Sequence, residues 1–394
     1  MIEPRRLAPP MLGASVLNAL GGGMIALLLP IEGLAASGLF GGFALPGMVS
    51  AGSAAVPVLG AALVARVGHK PIMIGGLLLA SLAAASLGLI ESTLLRAVAA
   101  GAYGVGQGLF VLARLTYLSD AVDPSQRGRI VSSVGGMGRV GMLIGPAIGG
   151  ALTTLLPASA ALGCVGAMPA CAALVLTALP HCATVPAESS GGSALGFVGR
   201  VLRAHRDAFV KLGGAMLALS FVRSARMLLI PICGTMLGLD PSAVGLAKSA
   251  SMAADVTLFY PAGLVMDRRG RKWTAVPCLV LLSLGVLVVG LADSTAVFLC
   301  GAILAGIGNG LGAGINMTLA GDVSPREGRA EFIGVWVLMT QIGGVSSPFL
   351  MGLIATWLAL GPAAGVVVSI GVSAGLAVAA LVPEPLRARQ TEAR

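Results

Sequence analysis

Long apolar runs separated by short polar segments occupy most of the 394-residue chain. A helix that crosses a bilayer needs about 20 mainly apolar residues. Twelve runs meet this requirement, and they predict an all-α membrane protein with 12 transmembrane helices. These runs, called spans 1 to 12, cover residues 11–31, 39–65, 71–90, 93–118, 130–155, 158–180, 210–237, 241–266, 272–292, 294–320, 330–357 and 361–382.

The two halves of the chain repeat each other. RVGHK (66–70) follows span 2 and RRGRK (268–272) follows span 8, while VDPSQRGR (122–129) and VSPREGR (323–329) follow spans 4 and 10. A repeat of half the chain length indicates a duplicated six-helix unit. We therefore predict two pseudo-symmetric six-helix bundles, at 1–180 and 210–394, joined by a polar cytoplasmic linker at 181–209.

Basic residues lie on one side of the predicted spans. With the N-terminus in the cytoplasm, 19 of the 25 Lys and Arg residues fall in cytoplasmic segments and only Arg96 falls in an outer loop. This asymmetry follows the positive-inside rule and predicts that both termini are cytoplasmic. It also explains the net charge of +9 without a nucleic-acid partner. The 19 cations are Arg5, Arg6, Arg66, Lys70, Arg127, Arg129, Arg200, Arg203, Arg206, Lys211, Arg268, Arg269, Arg271, Lys272, Arg326, Arg329, Arg387, Arg389 and Arg394.

Composition excludes a soluble protein. Hydrophobic residues make up 56% of the chain and charged residues 10%, and the mean hydropathy is +0.95, whereas about a quarter of an ordinary soluble domain is charged. The sequence has no P-loop, its six cysteines form no CxxC pair, and His69, His181 and His205 all lie at cytoplasmic boundaries. We therefore expect neither an enzyme nor an ATP-driven pump, and neither a metal nor another cofactor.

Three motifs carry a family resemblance. GLVMDRRGRK (263–272) matches the pattern G-x-L-a-D-R-x-G-R-K except at Val265, and AALVARVGHK (61–70) is its weaker counterpart. GMLIGPAIGG (141–150) matches G-x-x-x-G-P-x-x-G-G, and Gln107-Gly108 forms half of R-x-x-Q-G. In these motifs the chain resembles the major facilitator superfamily over essentially its whole length. The second motif resembles the drug:proton antiporter branch, most of whose members export their substrates.

The resemblance implies a set of residues for conformational switching. Asp120 and Asp322 close spans 4 and 10 at the same depth, so they are plausible partners for Arg66 and Arg271. In the first half, Ala65 replaces the acid of the loop motif and His69 replaces its second arginine. Solvated loop-end acids and ordinary close packing of span 5 are the alternatives. The set comprises Asp267, Arg268, Arg271, Asp120, Asp322, Arg66, Gly141, Gly145, Pro146 and Gly149.

Polar residues within the spans are candidates for substrate binding. In the superfamily fold, spans 1, 4, 7 and 10 line the central cavity. Helical periodicity places the polar residues of span 4 near one face, as it does the Arg pair of span 7 and the Asn pair of span 10. Scattered interhelical hydrogen bonding is the alternative. The candidates are Asn18, Tyr103, Gln107, Arg114, Arg139, Arg223, Arg226, Asn309 and Asn316.

Asp255 is the one acid well inside a predicted span, midway along span 8. Arg223 and Arg226 lie midway along span 7, so consecutive antiparallel helices bring the three residues to one depth. Asp255 is then either the protonation site or a permanent counter-ion for the Arg pair. Glu32, near the outer end of span 1, is the second candidate for proton coupling or else a loop acid.

The intramembrane charges favour an anionic substrate. Five cations face one acid within the spans, and a carrier of cationic drugs needs cavity acids. The first hypothesis is a proton-coupled exporter of small organic anions, such as drugs, siderophores or metabolites. The alternatives are a proton–anion symporter that imports an organic acid, and a membrane sensor or lipid-handling protein. We expect a monomer in the cytoplasmic membrane of a bacterium, with protons, substrate and lipid as its partners.

Overall fold

The computed structural model of the chain describes residues 4–180, 194–325 and 327–381. Every regular element in these ranges is helical, as the sequence predicts. A π-helical turn, Phe209–Gly213, joins α8 to α9. The helices are α1 (Pro4–Val67), α2 (His69–Leu87), α3 (Thr93–Ala121), α4 (Pro124–Leu152), α5 (Ala158–Cys164), α6 (Ala167–Thr177), α7 (Ala194–Ala204), α8 (Arg206–Ala208), α9 (Gly214–Met236), α10 (Pro241–Arg269), α11 (Lys272–Gly290), α12 (Thr295–Leu311), α13 (Ile315–Val323), α14 (Arg329–Leu358) and α15 (Leu360–Leu381).

Some sequence predictions fall outside these ranges. Most of the polar part of the predicted linker, residues 181–193, lies outside the described residues, and the rest of the linker forms α7, α8 and the beginning of the π-helical turn. Four of the predicted cytoplasmic cations also lie outside the described residues: Arg326, Arg387, Arg389 and Arg394.

Spans 1 and 2 form one nearly continuous helical element. α1 has 64 residues, and it is interrupted where Ser37 has φ −146° and Gly38 has φ +65° and ψ −158°. Positive φ strains any residue with a Cβ, so glycine is suited to this sharp change of direction. The two predicted spans therefore meet without the loop expected at residues 32–38.

Most of the other spans correspond to single helices. Nine helical segments of the described chain are long and apolar enough to cross a membrane, and one of them, Leu7–Pro57, contains most of spans 1 and 2. α4 and α10, which correspond to spans 5 and 8, have 29 residues each and are more polar. At 1.5 Å per residue, such a helix is about 44 Å long, which exceeds the roughly 30 Å of a hydrocarbon core.

Contacts divide the chain into two compact units. Unit 1 comprises Met1–Ser190 and Leu239–Ser249, and unit 2 comprises Gly191–Gly238 and Ala250–Arg394. The first turns of α10 thus cluster with unit 1, and the remainder of that helix clusters with unit 2. The predicted bundle boundaries at residues 180 and 210 stay a prediction.

In unit 1, α1 packs closely against α3 and α4. A Cβ on Gly141 would lie 2.8 Å from the Cβ of Ala19, and one on Gly145 would lie 2.8 Å from the Cα of Gly23. Neither position can hold a larger residue unless a backbone shifts. Small residues at four-residue spacing therefore bring α4 against α1, which is how helices gain packing energy within lipid.

In unit 2, α11 packs against α12 and α15, and α9 packs against α14. Phe209, Phe332 and Trp336 form an aromatic group with ring centroids 4.8 to 6.0 Å apart. Gly310 brings α12 against α10, since a Cβ there would lie 3.1 Å from the Cα of Asp255. That close approach sets the distance at which polar side chains of the two helices can meet.

Candidate functional site

A hydrogen-bonded network of charged and polar groups crosses unit 2. Arg226 Nη1 lies 3.4 Å from Asp255 Oδ2, to which Asn309 Nδ2 also donates at 2.5 Å. Arg223 Nε donates to Asn309 Oδ1 at 2.8 Å, and its Nη2 donates to the carbonyl of Gly312 at 2.8 Å. The meeting of Asp255 with the Arg pair, expected from depth alone, is present for Arg226.

Arg226 is the most enclosed member of this network. Its side chain is 2% exposed and that of Asp255 is 14% exposed. Arg226 Nη2 also donates to the carbonyl of Ser251 at 3.3 Å, while Nε makes no hydrogen bond with the described residues. A guanidinium buried in a membrane requires a counter-ion, so this geometry favours the counter-ion interpretation of Asp255.

Arg223 has a different environment. It is half-buried, and its hydrogen-bond acceptors, the Asn309 amide and the Gly312 carbonyl, are uncharged. The network contains two guanidiniums and one carboxylate and therefore has one positive charge in excess. An anion that reached Arg223 would neutralise that excess without displacing Asp255.

A break in span 10 supplies the carbonyl that Arg223 binds. α12 ends at Leu311 and α13 begins at Ile315, with Gly314 at φ +81°. The expectation that Asn309 and Asn316 share a face assumed a continuous helix, and the helix is broken between them. Asn316 instead accepts a hydrogen bond from Trp336 Nε1 at 2.8 Å.

Unit 1 contains a separate polar cluster. Asn18 and Gln107 exchange two amide hydrogen bonds, of 2.8 and 2.9 Å, between α1 and α3. Tyr103 is buried one turn before Gln107, and Arg114 Nη1 donates to Ser15 Oγ at 3.2 Å. The polar residues predicted on spans 1 and 4 therefore lie along one α1–α3 contact.

Two cations of unit 1, Arg114 and Lys248, contact uncharged groups. The Arg114 guanidinium lies 5.1 Å from the centre of the Phe110 ring and makes no ion pair with an acid of the described residues. Lys248 is buried and donates to the carbonyl of Ala26. In an α-helix this carbonyl would accept a hydrogen bond from the N–H of residue 30. Residue 30 is a proline and has no N–H, so the carbonyl is free to accept from Lys248. Arg139, another predicted substrate residue, is exposed on α4.

Glu32 is not a free loop acid. Its carboxylate lies 3.8 Å from Arg96 Nη1, and the two side chains are 14% and 13% exposed. Arg96 Nε also donates to the carbonyl of Ile90 at 2.5 Å. Both proton-coupling candidates, Glu32 and Asp255, thus have arginine partners within their own units.

The two expected cytoplasmic ion pairs differ. Arg271 Nε lies 2.8 Å from Asp322 Oδ2, as expected. Asp120 is bound by His69, at 2.9 Å from Nε2 to Oδ2, and not by Arg66, whose side chain is exposed. The reason is local: His69 is the first residue of α2, next to the end of α3, whereas Arg66 lies in the last turn of α1.

The remaining predicted switching residues fall into two groups. Asp267 and Arg268 are exposed, and Asp267 makes no hydrogen bond or ion pair with the described residues. Gly141, Gly145, Pro146 and Gly149 are buried in the α1–α4 contact. The structure therefore shows a packing role for the glycine motif. Switching roles for both groups stay predictions.

Sequence reasoning did not identify the backbone carbonyl of Gly312, the hydroxyl of Ser15 or the pairing of His69. For the pairing of His69, the one sequence signal was that His69 replaces an arginine of the loop motif. Backbone carbonyls and hydroxyls are present throughout the chain, so their use as partners has no sequence pattern.

Two compact helical units with charged and polar networks inside their spanning helices define a polytopic membrane carrier. The chain belongs to the Major Facilitator Superfamily, whose family profile matches residues 11–220 and 212–394. The protein is accordingly a transporter and not an enzyme, and the predicted fold of two six-helix bundles is confirmed.

Known relatives include exporters. The chain is 27% identical over 296 residues to the multidrug resistance protein MdtH of Citrobacter koseri, covering 73% of this chain and 70% of that protein. It is 28% identical over 155 residues to the bacillibactin exporter of Bacillus subtilis, covering 38% and 39%. A mutant of the nucleoside transporter NupG superposes with a TM-score of 0.78 at 12% identity, covering 95% of this chain and 100% of that one. The last likeness shows the fold alone.

Proposed function

We propose that this transporter exports small organic anions in exchange for protons. The observation that carries the proposal is the excess positive charge inside the spans. Arg223 hydrogen-bonds to neutral groups, and Arg114 has no acidic partner among the described residues. A buried cation is costly unless it is paired, so an anionic cargo complements both sites, whereas a cationic drug would be repelled.

Arg223 is the proposed ligand for the negative charge of the cargo. Its planar guanidinium can bind a carboxylate or sulfonate through two parallel N–H bonds. Arg226 lies one helical turn further along α9, with its own charge balanced by Asp255. The amide group of Asn309, in the same unit, is proposed to contribute a hydrogen bond to the cargo.

The direction of transport rests on likeness. MdtH is named for multidrug resistance and the Bacillus relative for export of bacillibactin, and the glycine motif on α4 resembles that of the antiporter branch. By the same likeness we assign the protein to the cytoplasmic membrane of a bacterium. The one-sided distribution of Lys and Arg supports a cytoplasmic position for both termini, and we propose the monomer as the working unit.

The position of the proton site discriminates antiport from symport. Protonating Asp255 would remove the one negative charge of the unit 2 network, so it would strengthen anion binding at Arg223. Proton and anion would then bind together, which is symport. Antiport needs proton and anion to exclude one another, which protonation of Asp255 would not do. The exporter proposal therefore assigns the proton to the other candidate, Glu32. A proton carried by Asp255 would instead support the second candidate, a proton–anion importer.

The test is proton flux in proteoliposomes that contain the pH dye pyranine. Benzenesulfonate and citrate serve as anionic probes, because neither crosses lipid readily as a neutral acid, and ethidium serves as the cationic counter-probe. We expect an anion gradient to drive protons in the opposite direction. Proton flux driven by ethidium and by neither anion would refute the proposal, and protons moving with the anion would select the symporter.

Matched variants separate the two proton sites. Glu32→Gln should abolish proton flux and retain exchange of anion for anion, since that half-cycle needs no proton. Arg223→Gln should abolish both. If Asp255→Asn gives the pattern expected of Glu32→Gln, the proton is carried by Asp255 and the antiport assignment fails.

A further inference from the structure

The pair formed by His69 and Asp120 has the geometry of a proton-binding site. His69 is 5% exposed, and its Nε2 lies 2.9 Å from Asp120 Oδ2. Its Nδ1 lies 3.2 Å from Thr116 Oγ1, which is itself 3.1 Å from the carbonyls of Leu112 and Ala113. Both ring nitrogens therefore have partners on α3.

These partners accommodate both protonation states of the imidazole. A carboxylate only accepts hydrogen bonds, so Nε2 carries a proton in either state. When the ring is neutral, the Thr116 hydroxyl donates a hydrogen bond to Nδ1. In the charged ring, Nδ1 donates to Thr116, whose hydroxyl then rotates towards the Leu112 or Ala113 carbonyl. His69 can gain or lose a proton without leaving a buried polar atom unpaired, because the hydroxyl of Thr116 rotates.

Neighbouring polar groups on α1, α2 and α3 are directed elsewhere. Lys70 Nζ is directed at the carbonyls of Thr177 and Leu179, and the hydroxyl of Tyr117, whose ring meets His69 edge-on, donates to Pro180. On α1, Arg66 is exposed. Among the side chains that the structure describes, Asp120 is the acid hydrogen-bonded to the imidazole.

The two helix dipoles at this site oppose one another. Asp120 lies in the last turn of α3, whose C-terminal end attracts a cation, while the N-terminal end of α2 at His69 disfavours one. Because the two dipoles act in opposite directions, the Asp120 carboxylate is the main charge that stabilises the protonated imidazole.

The corresponding pair in unit 2 cannot change charge in this way. Arg271 holds Asp322 at 2.8 Å in the place equivalent to the first-half pair, and arginine stays protonated throughout the physiological range. Histidine is the side chain whose charge ordinarily changes between about pH 5 and 8.

We infer that His69 and Asp120 form a cytoplasmic proton-binding latch, in which protonation of His69 converts a hydrogen bond between a neutral imidazole and a carboxylate into an ion pair. Acidification of the cytoplasm tightens the attachment of α2 to α3, while the pair of Arg271 and Asp322 keeps constant strength. This inference does not depend on which cargo the protein carries or in which direction.

The test measures what each acid contributes to stability at two pH values. Full-length protein in lipid nanodiscs is melted at about pH 5.5 and about pH 8, which bracket the ordinary titration of histidine. The neutral imidazole already donates to an ionised carboxylate, and protonation of the ring adds the Coulomb attraction of an ion pair. The loss of melting temperature on Asp120→Asn should therefore be larger at the lower pH.

Swapped variants control for other titrating groups. Asp322→Asn should cost the same at both pH values in the parent, and should become pH-dependent in an Arg271→His background. In a His69→Arg background, the cost of Asp120→Asn should no longer vary with pH. An equal cost of Asp120→Asn at both pH values in the parent would overturn the inference, as would a pH dependence that survives His69→Arg. Asn is isosteric with Asp, and each swap keeps an N–H donor at its position, so we expect these variants to fold.

Discussion

The counter-ion interpretation of Asp255 predicts a large effect of Asp255→Asn on stability. The substitution keeps the shape of the side chain but removes the carboxylate 3.4 Å from Arg226 Nη1. Because the Arg226 side chain is only 2% exposed, water cannot replace the lost charge. Removing one partner of a buried ion pair costs about 3–5 kcal/mol, and the excess charge of the network rises at the same time.

The effect can be measured by unfolding purified protein in mixed micelles with an increasing fraction of dodecyl sulfate. The double variant Arg226→Met/Asp255→Asn removes both charges and should recover most of the loss, since it leaves no unpaired ion. Asp322→Asn, at the half-exposed pair with Arg271, is the matched control and should cost about 0–1 kcal/mol. If Asp255→Asn is as stable as the parent, or if the double variant is less stable than the single one, the counter-ion interpretation is refuted.

Three further predictions follow from the geometry. Arg223→Lys should keep part of the benzenesulfonate transport that Arg223→Gln abolishes, because lysine keeps the charge and loses the planar fork; equal activities of the two variants in proteoliposomes would contradict this. Asp267→Asn should lower the transport rate and leave equilibrium binding of the probe unchanged, since Asp267 is exposed at the C-terminal end of α10. Weaker binding at an unchanged rate would show that it belongs to the binding site. Gly145→Ala should lower the melting temperature, because its Cβ would lie 2.8 Å from the Cα of Gly23. The control Gly138→Ala should leave the melting temperature unchanged, because a Cβ there meets nothing within 4 Å. Equal melting temperatures of the two variants would show that the α1–α4 contact tolerates the added methyl group.

Much of the fold can be predicted from the sequence, since transfer of apolar residues into lipid depends mainly on composition over about 20 positions. The positions of most of the spans are a property of this kind. The meeting of Arg226 with Asp255 could be predicted for a related reason. Consecutive antiparallel helices bring residues of equal depth together, and an isolated charge at that depth has few alternatives to pairing.

The sequence by itself thus determined an all-α carrier with charged groups inside its spans. Only the tertiary structure decided which partner each of those groups binds. His69 and not Arg66 reaches Asp120 because Gly68, at φ +98°, turns the chain between α1 and α2. Arg223 binds the carbonyl of Gly312 because the helix breaks there, and Arg226 takes the carboxylate. Hydropathy averages over a whole helix, whereas these choices depend on single backbone torsions and on side-chain reach within a few ångströms.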